Sequence, residues 1–341
     1  MADSLRGREY PPERKFFNDE KTGVRITKLT AFPTVNSKFY FHINQFTPDG
    51  KTLVFRSYRS CERSSGQDIF RVNVDGRGLV QVTDNPNMTG EILSNSGKYL
   101  YYMDGGTLMR VDMDTYEETE ISHIEGVRGP SGCSSLTNDD KWLYLETEMD
   151  DGGKAVLGYA TDGSEAGVVF RHPVITHTQV EPAHGEVIAI QCETDENHCN
   201  IWLVNRDGTN FRPLKLPYGN GHWMWIGDTG RIMSNLDSDH WGISSYKEGD
   251  SEVVPIVSDG CHFWHASCSR DGKWAVSDTN WPDEGLQLIS METGRHETIC
   301  YPGSSCGHPQ WSHPHPSFSP DNKYVVFNSD VSGIPSIYLA E

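Results

Sequence analysis

Gln310-Trp-Ser-His313-Pro-His315-Pro-Ser-Phe318-Ser-Pro-Asp-Asn322 decides the fold, because its last five residues recur along the whole chain. Phe46-Thr-Pro-Asp-Gly50 is followed by Leu93-Ser-Asn-Ser-Gly97, Leu136-Thr-Asn-Asp-Asp140, Glu181-Pro-Ala-His-Gly185, Ile226-Gly-Asp-Thr-Gly230, Cys268-Ser-Arg-Asp-Gly272 and Phe318-Ser-Pro-Asp-Asn322. The spacing of about 42 to 50 residues is the period of propeller blades. Each turn leads into an apolar strand such as Thr52-Leu-Val-Phe55, Trp142-Leu-Tyr-Leu145 or Tyr324-Val-Val-Phe327. A third strand follows, as in Asp68-Ile-Phe-Arg-Val-Asn73, and a second turn leads to a fourth, so each repeat is one four-stranded blade.

Seven turns predict an all-β, seven-bladed β-propeller spanning residues 1–341 as one domain. The last repeat stops at Ile337-Tyr-Leu-Ala-Glu341 after three strands, and a spare strand, Val24-Arg-Ile-Thr-Lys-Leu-Thr30, precedes the first turn. A strand at about 23–30 is therefore expected to complete the C-terminal blade, which removes exposed sheet edges. A β-sandwich array fits the uniform period less well.

Length and composition agree with this reading. The 341 residues include 33 Gly and 18 Pro, which suits many short strands joined by turns. No run of apolar residues is long enough to span a membrane as a helix. The formal net charge of -19 disfavours nucleic acid and anionic membranes as partners. The opening Met1 to Tyr10 has no apolar signal core, so a cytoplasmic location is expected. The eight cysteines show no CxxC pair and read as reduced, mostly buried thiols. Cys192/Cys199 and Cys261/Cys268 have no zinc-ligand spacing. There is no Gly-x-Ser-x-Gly and no phosphate-binding glycine loop. The acidic run from Asp112 to Glu120 reads as solvated strand and turn.

The histidines are in phase with the blades. In a propeller the strand before this turn is innermost, and its beginning lies at one mouth of the channel. His42, His177 and His222 each stand seven residues before the turn position held by Asp49; His265 and His315 stand six before it, and His313 two earlier still. Six of the 14 histidines therefore share one window of the repeat. His313 and His315 share a strand face by the period of two, and His265 has the same phase one blade earlier. Imidazole is the commonest metal ligand near neutral pH. These three with the amide oxygen of Gln310 could hold a divalent first-row cation with positions left for water or substrate. The plainer alternative is that each histidine satisfies hydrogen bonds in a polar channel. His262, three residues before His265, would fall on the opposite strand face. His123, His172, His198, His240 and His296 lie outside the window.

On these residues the chain resembles the oligogalacturonate lyases, seven-bladed propellers among the polysaccharide lyases of pectin degradation. Lys21-Thr-Gly-Val-Arg-Ile-Thr-Lys-Leu-Thr30 and Phe46 to Lys51 look like the first strand and turn of that family, and Ile201 to Asn210 like its fourth-blade signature. Gln310-x-x-His313-Pro-His315-Pro-Ser-Phe is the most specific match. The resemblance implies that Gln310, His313, His315 and His265 bind Mn²⁺ and that His222, in Gly221-His-Trp-Met-Trp225, is the base. It also implies β-elimination on a short uronate oligosaccharide to a 4,5-unsaturated product. The chain departs from the family at Asn200, where an arginine is expected, at Asn36-Ser37-Lys38, which replaces His-Arg-Asn, and at Glu181, which replaces a basic residue. Carboxylate binding is therefore assigned to Lys38, Arg56, Arg59 and Arg128, with His42 and His177 completing the substrate site. The rivals are a non-catalytic TolB-like binding module and a lyase for a different uronic acid.

Overall fold

The structure is a computed structural model that describes residues 4–59, 66–192, 200–214, 222–236, 241–279 and 282–341. Cys61, Cys199, His198 and His240 lie outside these residues.

Seven antiparallel sheets follow one another along the chain. The second strand of each blade shows why alternation is weak in this sequence. Leu53, Val54 and Phe55 in the strand Thr52–Ser57 are all fully buried. Both faces of a blade pack on neighbouring blades, so both are apolar. Outer strands such as Glu118–His123 are only partly covered and carry the charge. The core is thus a series of layers between blades. The layer joining the last blade to the first contains Leu53, Phe55 and Phe70 on one side and Val326, Ile337 and Leu339 on the other.

The repeated turn has a simple cause. Asp49 Oδ1 accepts hydrogen bonds from Thr47 Oγ1 at 2.7 Å and Lys51 N at 3.1 Å. Asp139, Asp271 and Asp321 do the same with Thr137 and Lys141, Ser269 and Lys273, Ser319 and Lys323. The next residue has positive φ, 67° at Gly50 and 58° at Asn322, a conformation reserved largely for Gly, Asn and Asp. In the fourth repeat Glu181 reaches forward to Ala183 N and His184 N instead. Its carboxylate closes a turn, which accounts for an acid at this position without reference to a ligand.

The N-terminal region contributes more than one strand. Arg25–Lys28 pairs with Ser336–Ala340, Ile26 opposite Ala340, and Lys15–Asn18 adds a fifth strand outside it. Glu9–Tyr10 pairs with Leu79–Gln81 and makes the first blade five-stranded as well. Both extra strands are short edge strands with exposed faces, Phe16 and Phe17 included, so they lack a buried pattern to announce them.

The first blade departs from the others at its inner edge, where the strand Asn36–Ser37 is only two residues long. The following segment, Lys38 to Gln45, crosses the axis. Tyr40 touches the rings of His177, His265 and His315, which come from the fourth, sixth and seventh blades, and Phe41 touches that of His222 from the fifth. Beyond this plug, at the turn end of the channel, lies a cavity of about 820 Å³ lined by Phe41, His42 and turn residues such as Asn95, Asp139, Asp228 and Pro320. Of the in-phase histidines, His42 lines this cavity, and the other five lie across the plug from it.

Candidate metal centre

The inner strands do not run straight through the histidine window. Their register shifts between Thr176 and Gln179 and between Phe263 and Ala266, which places His177 and His265 in bulges. A bulge re-aims a side chain, here toward the axis. His177 and His315 also adopt positive φ, 53° and 45°. For a side chain with a Cβ this costs on the order of 1 kcal/mol and is sustained by the surrounding structure.

His265, His313 and His315 are buried, and one ring nitrogen of each lies within 4.8 Å of the others. Among the described residues, no other group of metal-ligating side chains comes together in this way. His265 donates from Nδ1 to Asp278, 2.9 Å from Oδ2, which leaves the Nε2 lone pair available. His313 Nε2 donates to the Cys306 carbonyl at 3.1 Å, leaving Nδ1. The remaining atoms, His265 Nε2, His313 Nδ1 and His315 Nε2, are all buried without a hydrogen-bond partner. Three orphaned acceptors in one small volume would each forfeit about 1–3 kcal/mol unless something electropositive sits among them. Neutral imidazoles with free lone pairs, one held by a carboxylate, are what a first-row divalent cation requires. The donor set fits a metal.

Gln310 is placed differently from the histidines. It begins the 3₁₀ turn Gln310–Ser312, its carbonyl accepts from His313 N, and its side chain is exposed. The structure thus brings three of the four expected ligands together and leaves the amide on the rim.

His222 lies against this triad, its ring centroid 4.3 Å from that of His265. Asn235 and Ser234 fasten its backbone, and Trp264 flanks its ring. Burial, followed by the neighbouring His265, His177 and His313, pushes its pKa down to about 2. His42 and His315 are held well below the usual imidazole value, in both cases first by burial. His177 completes the arc, stacked on Tyr40 with centroids 5.4 Å apart and bonded through Nδ1 to Gln191 Oε1 at 2.7 Å. These rings form one contiguous cluster of imidazoles about the axis.

The cations assigned to carboxylate binding are mostly committed elsewhere. Arg59 is buried with its guanidinium on Glu13 at 2.6 Å, Ser57 Oγ and Asn36 Oδ1. It ties the N-terminal segment to the first blade and is withdrawn from the substrate assignment. Arg56 is paired with the buried Glu91 and lies over the Phe39 ring. Lys38 is within the cluster but fully enclosed, with Nζ donating to the Phe39 carbonyl at 2.7 Å. Arg128 is exposed at the start of the third blade's inner strand and makes no ion pair with a described residue. His262 stacks on Trp241, 4.0 Å between centroids, and His296 pairs with Asp259.

Sequence reading missed Tyr40 and Asp278. Tyr40 sits at the centre of the histidine arc, and nothing local marks a residue that crosses the axis. Asp278 was detectable, since it stands at the same distance after its turn as Asn328 does after the next.

A family model described as oligogalacturonate lyase matches residues 5–140 and 245–341. The chain is 24% identical to the oligogalacturonate lyase of Dickeya dadantii, with 95% of each chain covered. It is 25% identical to the oligogalacturonide lyase of Pectobacterium atrosepticum, with 98% of each covered. A solved structure of an oligogalacturonate lyase in complex with manganese superimposes with a TM-score of 0.86 over 98% of both chains at 24% identity. The oligogalacturonate lyase structure from Vibrio parahaemolyticus gives the same score and coverage at 23% identity. These likenesses establish the seven-bladed fold.

Proposed function

The chain belongs to the oligogalacturonate lyase family, and from that membership we propose a metal-dependent lyase that cleaves short uronate oligosaccharides by β-elimination. The observation that carries this reading is the convergence of the three orphaned imidazole nitrogens of His265, His313 and His315, with His222 packed beside them. Manganese is the ion named for one similar structure, and three imidazoles with the remaining positions open to water or substrate oxygen suit it or another first-row divalent cation. Bound there, such a cation would supply positive charge for the substrate carboxylate and so favour the enolate-like charge that develops on removal of the C5 proton.

The residues do the rest. His222, held neutral by burial and flanked by the rings of Trp264 and Phe41, accepts the C5 proton. The C5–H electron pair becomes the C4–C5 double bond, the C4–O4 bond breaks, and the departing oxygen takes a proton from water, while the C5 proton held by His222 is returned to water, so that none is gained or lost overall. Tyr40 and the Lys38 to Gln45 segment close the channel below, so the sugar enters from the histidine mouth alone. Among the assigned cations, Arg128 is the one exposed and unpaired with a described residue. That sparse set favours a short substrate, and a uronate other than galacturonate remains the alternative.

We take residues 1–341 as one domain acting in the cytoplasm. Free thiols at Cys133, Cys261, Cys268, Cys300 and Cys306 support a reducing compartment. Among the described residues, no helix is long and apolar enough to cross a membrane. The direct test is ultraviolet absorbance of the unsaturated product on a panel of oligouronates with Mn²⁺-loaded protein. Turnover on at least one uronate is expected; a flat trace on all of them, with metal bound, would leave a binding module as the better reading.

A further inference from the structure

Count forward from the turn, rather than back, and a second ring appears. Seven residues after the position of Asp49 stand Arg56, Met103, Glu146, Gln191, Leu236, Asp278 and Asn328, and in the fifth blade Asn235 lies one place before Leu236. All are on the second strand of their blade, where it returns to the histidine mouth.

The polar members reach inward and sideways. Asp278 Oδ1 accepts from His265 N at 2.7 Å, and its Oδ2 accepts from His265 Nδ1 and, across the blade boundary, from His315 N at 3.2 Å. Asn328 donates to the His313 carbonyl at 3.1 Å and accepts from Lys38 N of the first blade at 2.8 Å. Asn235 accepts from His222 N, and its amide lies 3.4 Å from the Phe263 carbonyl of the sixth blade. Glu146 accepts from Cys133 N and from Thr178 N, the residue after His177, at 3.0 Å. Gln191 holds His177 Nδ1, and Arg56 is paired with Glu91 of the second blade.

Met103 is the exception, and it obeys a rule. Its own blade presents Gly90 in the histidine window, and the next presents Gly132. Every other blade either carries a window histidine or precedes a blade that does; the third to seventh blades each supply a polar clamp, from Asn235 beside Leu236 in the fifth, while Arg56 of the first is taken up by Glu91. Gly132 also has a reason: a methyl group there would overlap Glu146 Oε1.

We propose that Glu146, Gln191, Asn235, Asp278 and Asn328 are positioning residues that set the histidine arc, and that they divide by function. Asp278 and Asn328 hold the metal triad, while Glu146, Gln191 and Asn235 hold His177 and His222 on the substrate side. Asp278 is the junction, because a single carboxylate fixes the tautomer of His265 and the backbone of His315. The first half rests on the reading of the triad as a metal centre.

The test uses the full chain and Mn²⁺ itself. Calorimetric titration of the metal-stripped protein is expected to show affinity reduced about 10–100-fold in Asp278→Asn, partial recovery in Asp278→Glu, and a change of less than about threefold in Gln191→Leu and Gly132→Ala. Imidazole ¹⁵N shifts read the other half without metal: Gln191→Leu should move His177 from the Nδ1–H to the Nε2–H tautomer, and Asp278→Asn should leave His177 unchanged. Wild-type Mn²⁺ affinity in Asp278→Asn, or an equal loss in Gln191→Leu, overturns the division. An unaltered His177 tautomer in Gln191→Leu overturns the clamp itself. A wild type that binds no Mn²⁺ overturns the metal reading and the assignment of Asp278 and Asn328 with it, while the Gln191 arm is still decided by its own spectrum.

Discussion

The two ends of the channel use the same repeat for opposite purposes. At the turn end, Asp49, Asp139, Asp271 and Asp321 perform one task four times, each carboxylate closing its own five-residue turn. At the histidine mouth the repeat supplies the same residue type in phase, yet each ring has a different partner: Asp278 for His265, the Cys306 carbonyl for His313, Gln191 for His177. Repetition with identical partners marks a backbone requirement. Repetition of position with divergent partners marks a site assembled across blades. The acids that line the turn-end cavity are likewise engaged by turns: Asp139 closes its own, Asp140 accepts from Asn95 N and Ser96 N of the preceding blade's turn, and Asp228 accepts from Asn138.

The largest effect expected at either end is at the metal triad. His313→Ala should lose metal and turnover together, with activity down on the order of 10³-fold or more, checked by metal analysis and product absorbance in parallel. Removal of the metal by a chelator should reproduce that loss in the wild type, and Mn²⁺ should restore it. Next is His222→Ala, expected to lose about 10²–10⁴-fold in kcat while its metal content stays at the wild-type level. Metal loss in His222→Ala would merge the two functions that the geometry separates.

Smaller effects belong to the scaffold. Arg59→Met removes the buried guanidinium that pairs with Glu13 and should lower the melting temperature without raising KM. A raised KM with unchanged stability would return Arg59 to the substrate site. Asp321→Asn should cost about 1 kcal/mol of stability, the scale of one or two local hydrogen bonds, and leave kcat intact. Its pH dependence has a definite sign. Hydrogen bonds from Lys323 and Ser319 and the Lys323 charge overcome the opposing effect of burial and hold the Asp321 carboxyl below its ordinary value of 3.8. The folded pKa is therefore the lower one, so its stabilisation is present above the unfolded value, near 3.9, and is lost as pH falls through the folded value. The acid limb of a thermal melt series should flatten in Asp321→Asn.

Much of this fold is written in local chemistry. The turn can be read because Asp or Ser/Thr with a following Gly, Asn or Asp is a self-contained structure, and the histidines can be read because the turn gives them a coordinate. Three things were not legible for the same physical reason, namely that they depend on distances across the ring. The Lys38 to Gln45 plug looks like an ordinary inner strand until Tyr40 is found among histidines of three other blades. Arg56 and Arg59 end a strand at the correct face, but Glu91 and Glu13 reach them first. Gln310 keeps the spacing of a ligand and yet lies on an exposed turn. Strands Glu9–Tyr10 and Lys15–Asn18 were missed because edge strands need no apolar pattern.

The central claim is that the buried imidazoles hold a metal for a proton abstraction by His222. It is tested most directly by following unsaturated product from short oligogalacturonates and related oligouronates with Mn²⁺-loaded wild type and Mn²⁺-loaded His222→Ala side by side. The account predicts product from the wild type and a near-flat trace from the variant at equal metal content. Equal rates from the two proteins, or no product from a fully loaded wild type on any uronate, would contradict it.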